Sequence, residues 1–246
     1  MSRALRAFDT SDRLARHVTH QIVERLGSLI EDKGYAVFVT SAGRTPLPVY
    51  ADLRRRHRHA IDWSRVHIAQ MDDYADPAPP HATTFQAFLE REIVRPLGVG
   101  GFSGLRTESG RREMREIARR TGGVGGIDLI LHGIGTNGHI GFNEPGAPRF
   151  AGLGTVRLSE ATLSANFGPD RSAWPNGMGY TLGLATLARV PHSILIATGH
   201  IKRRAMAKLL DRVPASTCPA TSLHACPRFD IYADRAALKE AQLAAL

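Results

Sequence analysis

The feature that most constrains the fold is a strand-like run that ends in a glycine-rich turn, I-D-L-I-L-H-G-I-G-T-N-G-H-I-G-F-N-E-P-G over residues 127–146. The mostly apolar, branched run Ile127–Leu131 has the length and composition of a buried strand. Gly133, Gly135 and Gly138 follow it, and such glycines let the backbone turn tightly or lie close against another group. A buried strand followed by this kind of turn predicts a site at the carboxyl end of an open α/β sheet.

The turn also carries side chains that can handle protons. It holds a histidine, His139, a carboxylate, Glu144, and two amides, Asn137 and Asn143. A lone histidine in a turn is more often structural than catalytic, but the nearby carboxylate and amides favour a role in proton transfer. The turn has a G-x-G-x-x-G spacing, which a dinucleotide site also uses. Its mid-chain position and the histidine and glutamate that follow closely disfavour a dinucleotide, and the absence of a G-x-x-x-x-G-K-[ST] element disfavours nucleotide phosphoryl transfer.

Apolar residues elsewhere alternate between strand-like runs and helix-like stripes. Helices are predicted between four further strand-like runs, residues 35–40, 66–69, 193–198 and 229–233. These strands are apolar on both faces. We therefore expect an α/β fold with a doubly wound, mostly parallel sheet and helices on both faces, as one Rossmann-like domain over residues 1–246.

In two segments the spacing of the apolar residues fits neither a helix nor a strand. Residues 98–104 and 150–174 are expected to be irregular. The wider segment 147–180 has the composition of a lid over a substrate, but an ordinary surface loop would have the same composition.

Features of an anion site follow two of the strands. The loop S-A-G-R-T-P, residues 41–46, separates a strand from a predicted helix, and Gly199 and Lys202 follow the strand at 193–198. Backbone N–H groups and the positive end of a helix dipole can bind a phosphate at such a loop. Each feature alone is weak, because an ordinary strand-to-helix loop has the same composition.

Two adjacent carboxylates, Asp72 and Asp73, follow the strand at 66–69 in the element M-D-D-Y. At the carboxyl end of a parallel strand they would lie where a doubly wound sheet places catalytic groups. The alternative is a pair of helix or turn caps. A phosphate loop, a lysine, carboxylates and a histidine at neighbouring strand ends suit a small phosphorylated metabolite.

The charge, the apolar runs and the cysteines argue against several classes of protein. The formal charge is +9, but the basic runs are scattered among helical segments without interleaved aromatics, which disfavours nucleic acid as a partner. No apolar run approaches the roughly 18 residues of a membrane span, and the N-terminus lacks a signal-peptide pattern, so we expect a cytoplasmic protein. Cys218 and Cys226 are expected to be free thiols, since no second Cys/His pair completes a zinc site.

Three motifs in matching order resemble the glucosamine-6-phosphate deaminase/isomerase family. They are M-D-D-Y at 71–74, G-I-G-T-N-G-H-I-G-F-N-E-P-G at 133–146, and Gly199-x-x-Lys202. The related 6-phosphogluconolactonases share the fold and a G-x-G-x-[DN]-G-H core but lack the M-D-[ED]-Y and F-N-E-P elements, so the deaminase branch fits better. The resemblance extends from residue 41 to about residue 216.

The resemblance implies a reaction without cofactor or metal, in which a hexosamine 6-phosphate becomes a ketose 6-phosphate and ammonia. His139 would open the sugar ring by passing a proton to the ring oxygen, with Glu144 in its relay. Asp72 would remove the proton at C2 and return it at C1. The substrate- and phosphate-binding residues that the resemblance implies are Gly43, Arg44, Thr45, Gly138 and Lys202.

Two positions depart from the family pattern. Glucosamine-6-phosphate deaminases usually have aspartate where this chain has Asn137, whereas the amide is native in the galactosamine-6-phosphate branch, so a galactosamine-type substrate is our first expectation. An amide oxygen could accept the Nδ1–H bond of His139 but would add no charge. The family's second phosphate-binding arginine has no clean match, and Arg171 is the candidate. Residues of the family's allosteric site are missing after Pro145, so we expect no activation by N-acetylglucosamine 6-phosphate.

Other assignments stay open. The chain could be a 6-phosphogluconolactonase-type hydrolase, or a sugar-phosphate-binding regulator whose catalysis is weakened by Asn137. The expected partner is a small-molecule sugar phosphate, and a homo-oligomer is one option for the assembly. Asp73 is expected to support the site from behind, and the histidines expected to be structural are His132, His200 and His224.

Overall fold

The structure is a computed structural model that describes residues 3–75, 84–167 and 177–244. The strands in this part of the chain are β1 (Arg3–Phe8), β2 (Ala36–Thr40), β3 (Val66–Gln70), β4 (Asp72–Tyr74), β5 (Gly101–Ser103), β6 (Leu129–Gly133), β7 (Leu153–Arg157), β8 (Met178–Leu182), β9 (His192–Ala197) and β10 (Arg228–Asp234). The helices are α1 (Ser11–Lys33), α2 (Leu47–Arg56), α3 (Phe85–Leu89), α4 (Arg95–Leu97), α5 (Glu108–Arg120), α6 (Glu160–Phe167), α7 (Leu184–Leu187), α8 (Arg203–Leu210) and α9 (Glu240–Leu243).

Seven strands form one sheet in the order β1-β10-β9-β6-β2-β3-β5. All neighbouring pairs in it are parallel. From β2 the chain adds β3 and β5 in one direction, and from β6 it adds β9 and β10 in the other. The strand order therefore reverses between β2 and β6, and ligands of open α/β sheets bind beside such a reversal, outside the carboxyl ends of the strands.

Two apolar cores cover the two faces of this sheet. Phe38 and Ile194 face a core shared with α1 and α2. Val39 and Leu195, the next residue along each strand, face the opposite core, which includes residues of α5 and α8. Because successive side chains of a strand point to opposite faces, a strand buried on both sides must be apolar throughout. The doubly wound, mostly parallel α/β fold is confirmed.

Both edges of the large sheet differ from the sequence-based expectation. The first strand, β1, was not predicted, and β5 lies in the segment 98–104 that was expected to be irregular. The sequence of β1, R-A-L-R-A-F, contains two arginines, and β5 is only three residues long. Edge strands are commonly short or charged, so their identity as strands comes from pairing with β10 and β3 rather than from an apolar pattern.

A second, antiparallel sheet of order β4-β8-β7 lies beside the first. It corrects the expectation that residues 150–174 are irregular, because β7 and α6 lie within that segment. It also shows that Asp72 and Asp73 do not simply end a strand but form the short strand β4, which pairs with β8. The residues of β7 are half-buried or exposed, so their pattern alone does not distinguish a strand from a loop. Whether this segment closes over a substrate stays a prediction.

A small aromatic core joins the second sheet to the glycine-rich turn. Tyr74 of β4, Phe142 of the turn, and Leu158 and Leu163 around the start of α6 form one buried cluster. The Tyr74 and Phe142 ring centroids lie 5.8 Å apart. Burial of this apolar surface holds the region around α6 against the turn.

No helix in the described ranges has the length and apolar character needed to cross a bilayer. Cys218 and Cys226 are both free and buried.

Candidate active site

A cavity of about 510 Å³ opens at the carboxyl edge of the large sheet, beside the reversal between β2 and β6. Its walls come from the loops after β2, β6 and β9 and from strand β4. Parallel strands all end at this edge, so residues far apart in the sequence meet here. The residues selected from the sequence that line the cavity are Gly43, Arg44, Thr45, Asp72, His139 and Lys202.

The loop after β2 is held by a buried tyrosine of α2. The hydroxyl of Tyr50 donates to the carbonyl oxygen of Ser41 at 2.5 Å and lies 2.5 Å from Thr40 Oγ1. Gly43 has a φ of 130°, a conformation that side-chain-bearing residues rarely adopt. α2 begins directly after this loop, so the positive end of its dipole points towards the cavity. Pro46 and Pro48 carry no N–H and the N–H of Leu47 bonds to the carbonyl oxygen of Arg44, so the helix contributes its dipole rather than free N–H groups.

Lys202 brings a cation to the same side of the cavity. It ends the short 3₁₀ turn His200–Lys202, which follows Gly199 after β9. Burial and, after it, the positive charge of Arg44 lower the pKa of Lys202. An anion bound between Lys202 and Arg44 would relieve their repulsion, so this side of the cavity suits a phosphate.

Asp72 places a carboxyl group in the cavity. The residue is only 5% exposed, and its Oδ1 atom has no hydrogen-bond partner in the described part of the chain. Burial and, after it, the charge of Asp73 raise the pKa of Asp72 to about 8. A carboxyl group with such a pKa gains and loses protons near neutral pH, which is what a general base requires.

Asp73 fixes the position of its neighbour and is not one of the residues that line the cavity. Its carboxylate accepts hydrogen bonds from two backbone N–H groups at the start of α3, so it ties β4 to that helix. Burial raises the pKa of Asp73, and its N–H donors act in the opposite direction. The four donors, at 2.8 to 3.1 Å, are Gln70 Nε2 and the backbone nitrogens of Tyr74, Phe85 and Gln86.

The glycines after β6 shape the turn that presents His139. A Cβ atom on Gly135 would lie 2.2 Å from His139 Cε1, so the imidazole ring packs directly on the backbone of this residue. Gly138 has a φ of 96°, and a Cβ atom there would lie 2.6 Å from Cys218 Sγ. Gly138 therefore shapes the turn from behind the cavity wall, although it was predicted to bind substrate.

Asn137 contacts Glu144 rather than the ring of His139, which corrects the sequence-based expectation. Its Nδ2 donates to Glu144 Oε2 at 2.7 Å, and its Oδ1 accepts the backbone N–H of His139 at 3.0 Å. Asparagine commonly accepts from the backbone N–H two residues later in a tight turn, which occupies the amide oxygen. The Nδ1 atom of His139 instead lies 3.6 Å from Glu144 Oε2.

Glu144 lies behind His139 and is 9% exposed. Burial by itself raises its pKa, but the close contact and charge of His139, together with hydrogen bonds from Thr162 and Asn137, outweigh burial and lower the pKa to about 2. Glu144 is therefore an anion at neutral pH. Its negative charge lies on the Nδ1 side of the His139 ring.

Sequence reasoning missed two hydroxyl groups that contact Glu144. Ser159 Oγ donates to Glu144 Oε1 at 3.1 Å, and Thr162 Oγ1 donates to the same oxygen. Thr162 also lines the cavity. These residues follow Glu144 by 15 and 18 positions in a segment that was expected to be irregular. No spacing rule connects them to the glycine-rich turn.

The side chain of Asn143 joins the glycine-rich turn to the second sheet by hydrogen bonds. It is fully buried, and its Nδ2 donates to the carbonyl oxygens of Ile140 at 2.9 Å and Leu182 at 2.8 Å. Buried carbonyl groups need such a donor, because leaving them unpaired costs free energy. The sequence placed an amide here but did not reveal its partner in β8.

The remaining candidates are not among the described residues that line the cavity. Arg171, the candidate for a second phosphate ligand, lies outside the described residues. His132 is fully buried in β6, and burial lowers its pKa to about 3, so it is neutral. His224 Nε2 bonds to the carbonyl oxygen of Leu209 at 2.9 Å. Within residues 3–75, 84–167 and 177–244, no group of three or more His, Cys, Asp or Glu residues could hold a metal ion.

Comparison with known proteins gives consistent matches along most of the chain. The model of the family described as glucosamine-6-phosphate isomerases/6-phosphogluconolactonase matches residues 9–229. Glucosamine-6-phosphate deaminase 1 of Giardia intestinalis is 33% identical over 223 residues, covering 87% of this chain and 83% of the relative. The glucosamine-6-phosphate deaminase of Streptomyces coelicolor is 33% identical over 231 residues, covering 91% of this chain and 88% of the relative.

Solved structures share the fold at lower sequence identity. The structure of a monomeric glucosamine-6-phosphate deaminase superposes with a TM-score of 0.80 at 24% identity, covering 96% of this chain and 98% of that one. A 6-phosphogluconolactonase from Shewanella baltica superposes with a TM-score of 0.75 at 17% identity, covering 95% of this chain and 98% of that one. The architecture is therefore common to deaminases and lactonases, and at these identities the superpositions speak only to fold.

Proposed function

The chain belongs to the glucosamine-6-phosphate isomerase and 6-phosphogluconolactonase family, and from this membership we propose that it converts a hexosamine 6-phosphate and water into a ketose 6-phosphate and ammonia. The observation that carries the proposal is a single cavity lined by a buried carboxyl group, Asp72, an imidazole, His139, and two cations, Arg44 and Lys202. Proton transfer next to a carbonyl carbon needs a base of this kind, and a sugar phosphate needs a cationic anchor.

The phosphate group is the part of the substrate that anchors it. Its oxygens accept hydrogen bonds from the loop residues Gly43 and Thr45, while Arg44 and Lys202 supply positive charge. The N-terminus of α2 adds its dipole to this site. With the phosphate held at the edge of the sheet, the sugar ring extends towards Asp72 and His139 in the same cavity.

His139 and Glu144 open the ring. The imidazole accepts the proton of the C1 hydroxyl and delivers a proton to the ring oxygen as the bond between C1 and the ring oxygen breaks, so the pyranose becomes the free aldehyde and the imidazole is restored. The anionic Glu144 next to Nδ1 keeps the proton on that side of the ring, which leaves Nε2 to exchange a proton with the substrate. Asn137 holds Glu144 Oε2 for this contact.

Asp72 then moves a proton between two carbons. Its carboxylate removes the proton at C2 to form an enolamine and returns it to C1. The resulting imine at C2 adds water and releases ammonia, which leaves the ketose 6-phosphate. Because burial raises the pKa of Asp72 to about 8, the carboxylate is a stronger base than an exposed aspartate, and the proton is held well enough to be returned.

An assay of ammonia release tests the proposal. The purified protein is incubated separately with galactosamine 6-phosphate, glucosamine 6-phosphate and 6-phosphogluconolactone, and ammonia, ketose phosphate and 6-phosphogluconate are each measured. We expect ammonia and ketose phosphate in equal amounts from at least one hexosamine phosphate. Hydrolysis of the lactone without ammonia release would instead assign the chain to the lactonase side of the family. Sugar-phosphate binding with no turnover of any substrate would favour a regulator.

The amide side chain of Asn137 bears on which epimer, galactosamine or glucosamine 6-phosphate, is the preferred substrate. A carboxylate at this position, the usual residue of glucosamine-6-phosphate deaminases, would add a second negative charge beside Glu144, whereas Asn137 donates a neutral hydrogen bond. We propose that the preferred substrate is galactosamine 6-phosphate. The ratio of kcat/KM for the two epimers tests this preference, and a ratio that favours the glucosamine compound would overturn it while leaving the reaction class intact.

A further inference from the structure

The carboxylate of Glu144 is held from two sides. Its Oε2 atom accepts from Asn137 Nδ2 at 2.7 Å and lies 3.6 Å from His139 Nδ1. Its Oε1 atom accepts from Ser159 Oγ at 3.1 Å and from the hydroxyl of Thr162. The glycine-rich turn therefore supplies the contacts of one oxygen, and the start of α6 supplies those of the other.

The start of α6 is itself fixed locally. Ser159 Oγ accepts the backbone N–H of Thr162 at 3.2 Å, and the carbonyl oxygen of Ser159 accepts the N–H of Leu163 at 3.0 Å. Serine is a favoured residue for such an N-terminal cap. Leu163 packs in the aromatic core with Phe142 of the turn. The hydroxyl of Thr162 is thus held at Glu144 by both packing and capping.

Thr162 differs from the other donors in one respect. It lines the cavity, whereas Glu144, Asn137 and Ser159 lie behind the cavity wall. Its hydroxyl therefore joins the space for the substrate to the carboxylate that faces His139.

From these contacts we infer that Thr162 is a positioning residue for the His139–Glu144 pair, which makes the start of α6 part of the acid/base machinery. The inference rests on the proposed function only for its catalytic consequence. The contact with Glu144 does not depend on which sugar phosphate is bound.

Electrostatics supports this role. Among the described residues, the titratable group that contacts Glu144 is His139, and its hydrogen-bond donors, Asn137, Ser159 and Thr162, are neutral. Glu144 loses much of its solvation on burial, so these neutral donors keep it ionised. Without the Thr162 hydroxyl, the pKa of Glu144 rises. The low-pH limit of any activity that needs the carboxylate then moves to higher pH.

The test compares Thr162→Val with Thr162→Ser, using Thr155→Val as a matched control on an exposed residue of β7 in the same segment. We expect Thr162→Val to lower kcat about ten- to hundredfold with KM changed less than about twofold, since the phosphate anchor is untouched. The acid limb of its kcat–pH profile should move up. Thr162→Ser should restore most of kcat, and Thr155→Val should match the wild type.

A second readout is independent of activity. In protein labelled with ¹³C at glutamate carboxyl groups, the Glu144 resonance, assigned with Glu144→Gln, should titrate at higher pH in Thr162→Val than in the wild type. An unchanged Glu144 titration, or equal loss of kcat in the Ser and Val variants, would overturn the role of Thr162. If the wild type releases no ammonia while the titration still moves, the proposed function fails and the contact between Thr162 and Glu144 stands.

Discussion

At the scale of single residues, the chemistry depends on where each charge is held. Glu144 is ionised because the donors and the histidine around it outweigh its burial. Burial and, after it, the charge of Asp73 raise the pKa of Asp72, whose Oδ1 has no hydrogen-bond donor in the described part of the chain. The surroundings of these two carboxyl groups thus shift their pKa values in opposite directions. In the proposed mechanism, this separation lets one carboxylate assist the imidazole while the other carries a proton between carbons.

Replacing Asp72 with asparagine tests its role as base. We expect Asp72→Asn to lower kcat at least about a hundredfold while sugar-phosphate binding, measured by calorimetry, changes little, because the phosphate site is separate. Loss of binding together with kcat would show that Asp72 holds the substrate rather than the proton.

The same variant makes a prediction for stability. Burial raises the pKa of Asp72 above that of the unfolded chain. The stability that the protonated group contributes is therefore complete below about pH 4 and is lost as pH rises through about 8. Between pH 5 and pH 9 the wild type should lose roughly 2 kcal/mol or more relative to Asp72→Asn, as measured by urea unfolding. Parallel pH dependence of the two proteins would contradict a buried, titrating Asp72.

At the scale of the element, the glycine-rich turn works because its backbone is close to other groups. A Cβ atom on Gly135 would overlap the His139 ring. We expect Gly135→Ala to displace the imidazole and lower kcat about a hundredfold, with the far-ultraviolet circular dichroism unchanged. Gly123→Ala, where the nearest atom would be 3.5 Å away, is the control. Equal activity of the two variants would show that the ring does not need its position on Gly135.

A second prediction at this scale concerns the hydrogen bonds by which Asn143 joins the glycine-rich turn to β8. Asn143→Ala removes the side-chain hydrogen bonds to the carbonyl oxygens of Ile140 and Leu182, of which Ile140 keeps the backbone N–H of residue 143. We expect a loss of about 1–3 kcal/mol in the free energy of unfolding. Asn137→Ala, in a half-buried part of the same turn, should cost clearly less stability although it perturbs Glu144. Urea unfolding of both variants measures the difference. An equal loss of unfolding free energy in the two variants would argue against this structural role of Asn143.

At the scale of the whole molecule, the net charge of +9 reflects the surface more than the site. Arginines of α5 pair with carboxylates of the same helix, as in Arg115–Glu108 and Arg119–Glu116. Exposed pairs of this kind contribute little to stability but keep the helix solvated. In the proposed function, the phosphate is bound by two cations that line the cavity at the carboxyl edge of the sheet, Arg44 and Lys202.

Phosphate binding should therefore couple to the stability of the whole fold. Inorganic phosphate or a sugar phosphate at about 100 times its Kd should stabilise the wild type by about 2.7 kcal/mol and raise Tm accordingly. Lys202→Met should abolish most of this shift and raise KM at least about tenfold. Lys208→Met, on α8 outside the cavity lining, should keep the shift. A phosphate-induced shift that survives Lys202→Met would show that the anion binds elsewhere.

The sequence by itself determined the two-sided α/β architecture and the edge at which the site lies. Central strands such as β2 and β9 are apolar on both faces because helices cover both faces, and that pattern can be read without coordinates. The order of the motifs along the chain then assigns polar groups to the ends of particular strands, since all parallel strands end at one edge.

Only the tertiary structure decided which side chains meet. The edge strands β1 and β5 and the small sheet with β7 are defined by their partners rather than by an apolar pattern, because a half-exposed strand has no strong periodicity. In the site, Asn137 binds Glu144 and a backbone N–H instead of the imidazole, and the hydroxyls of Ser159 and Thr162 reach Glu144 from another element. Such contacts are set by the packing of one element on another and by local turn geometry, neither of which is encoded in the spacing of residues along the chain.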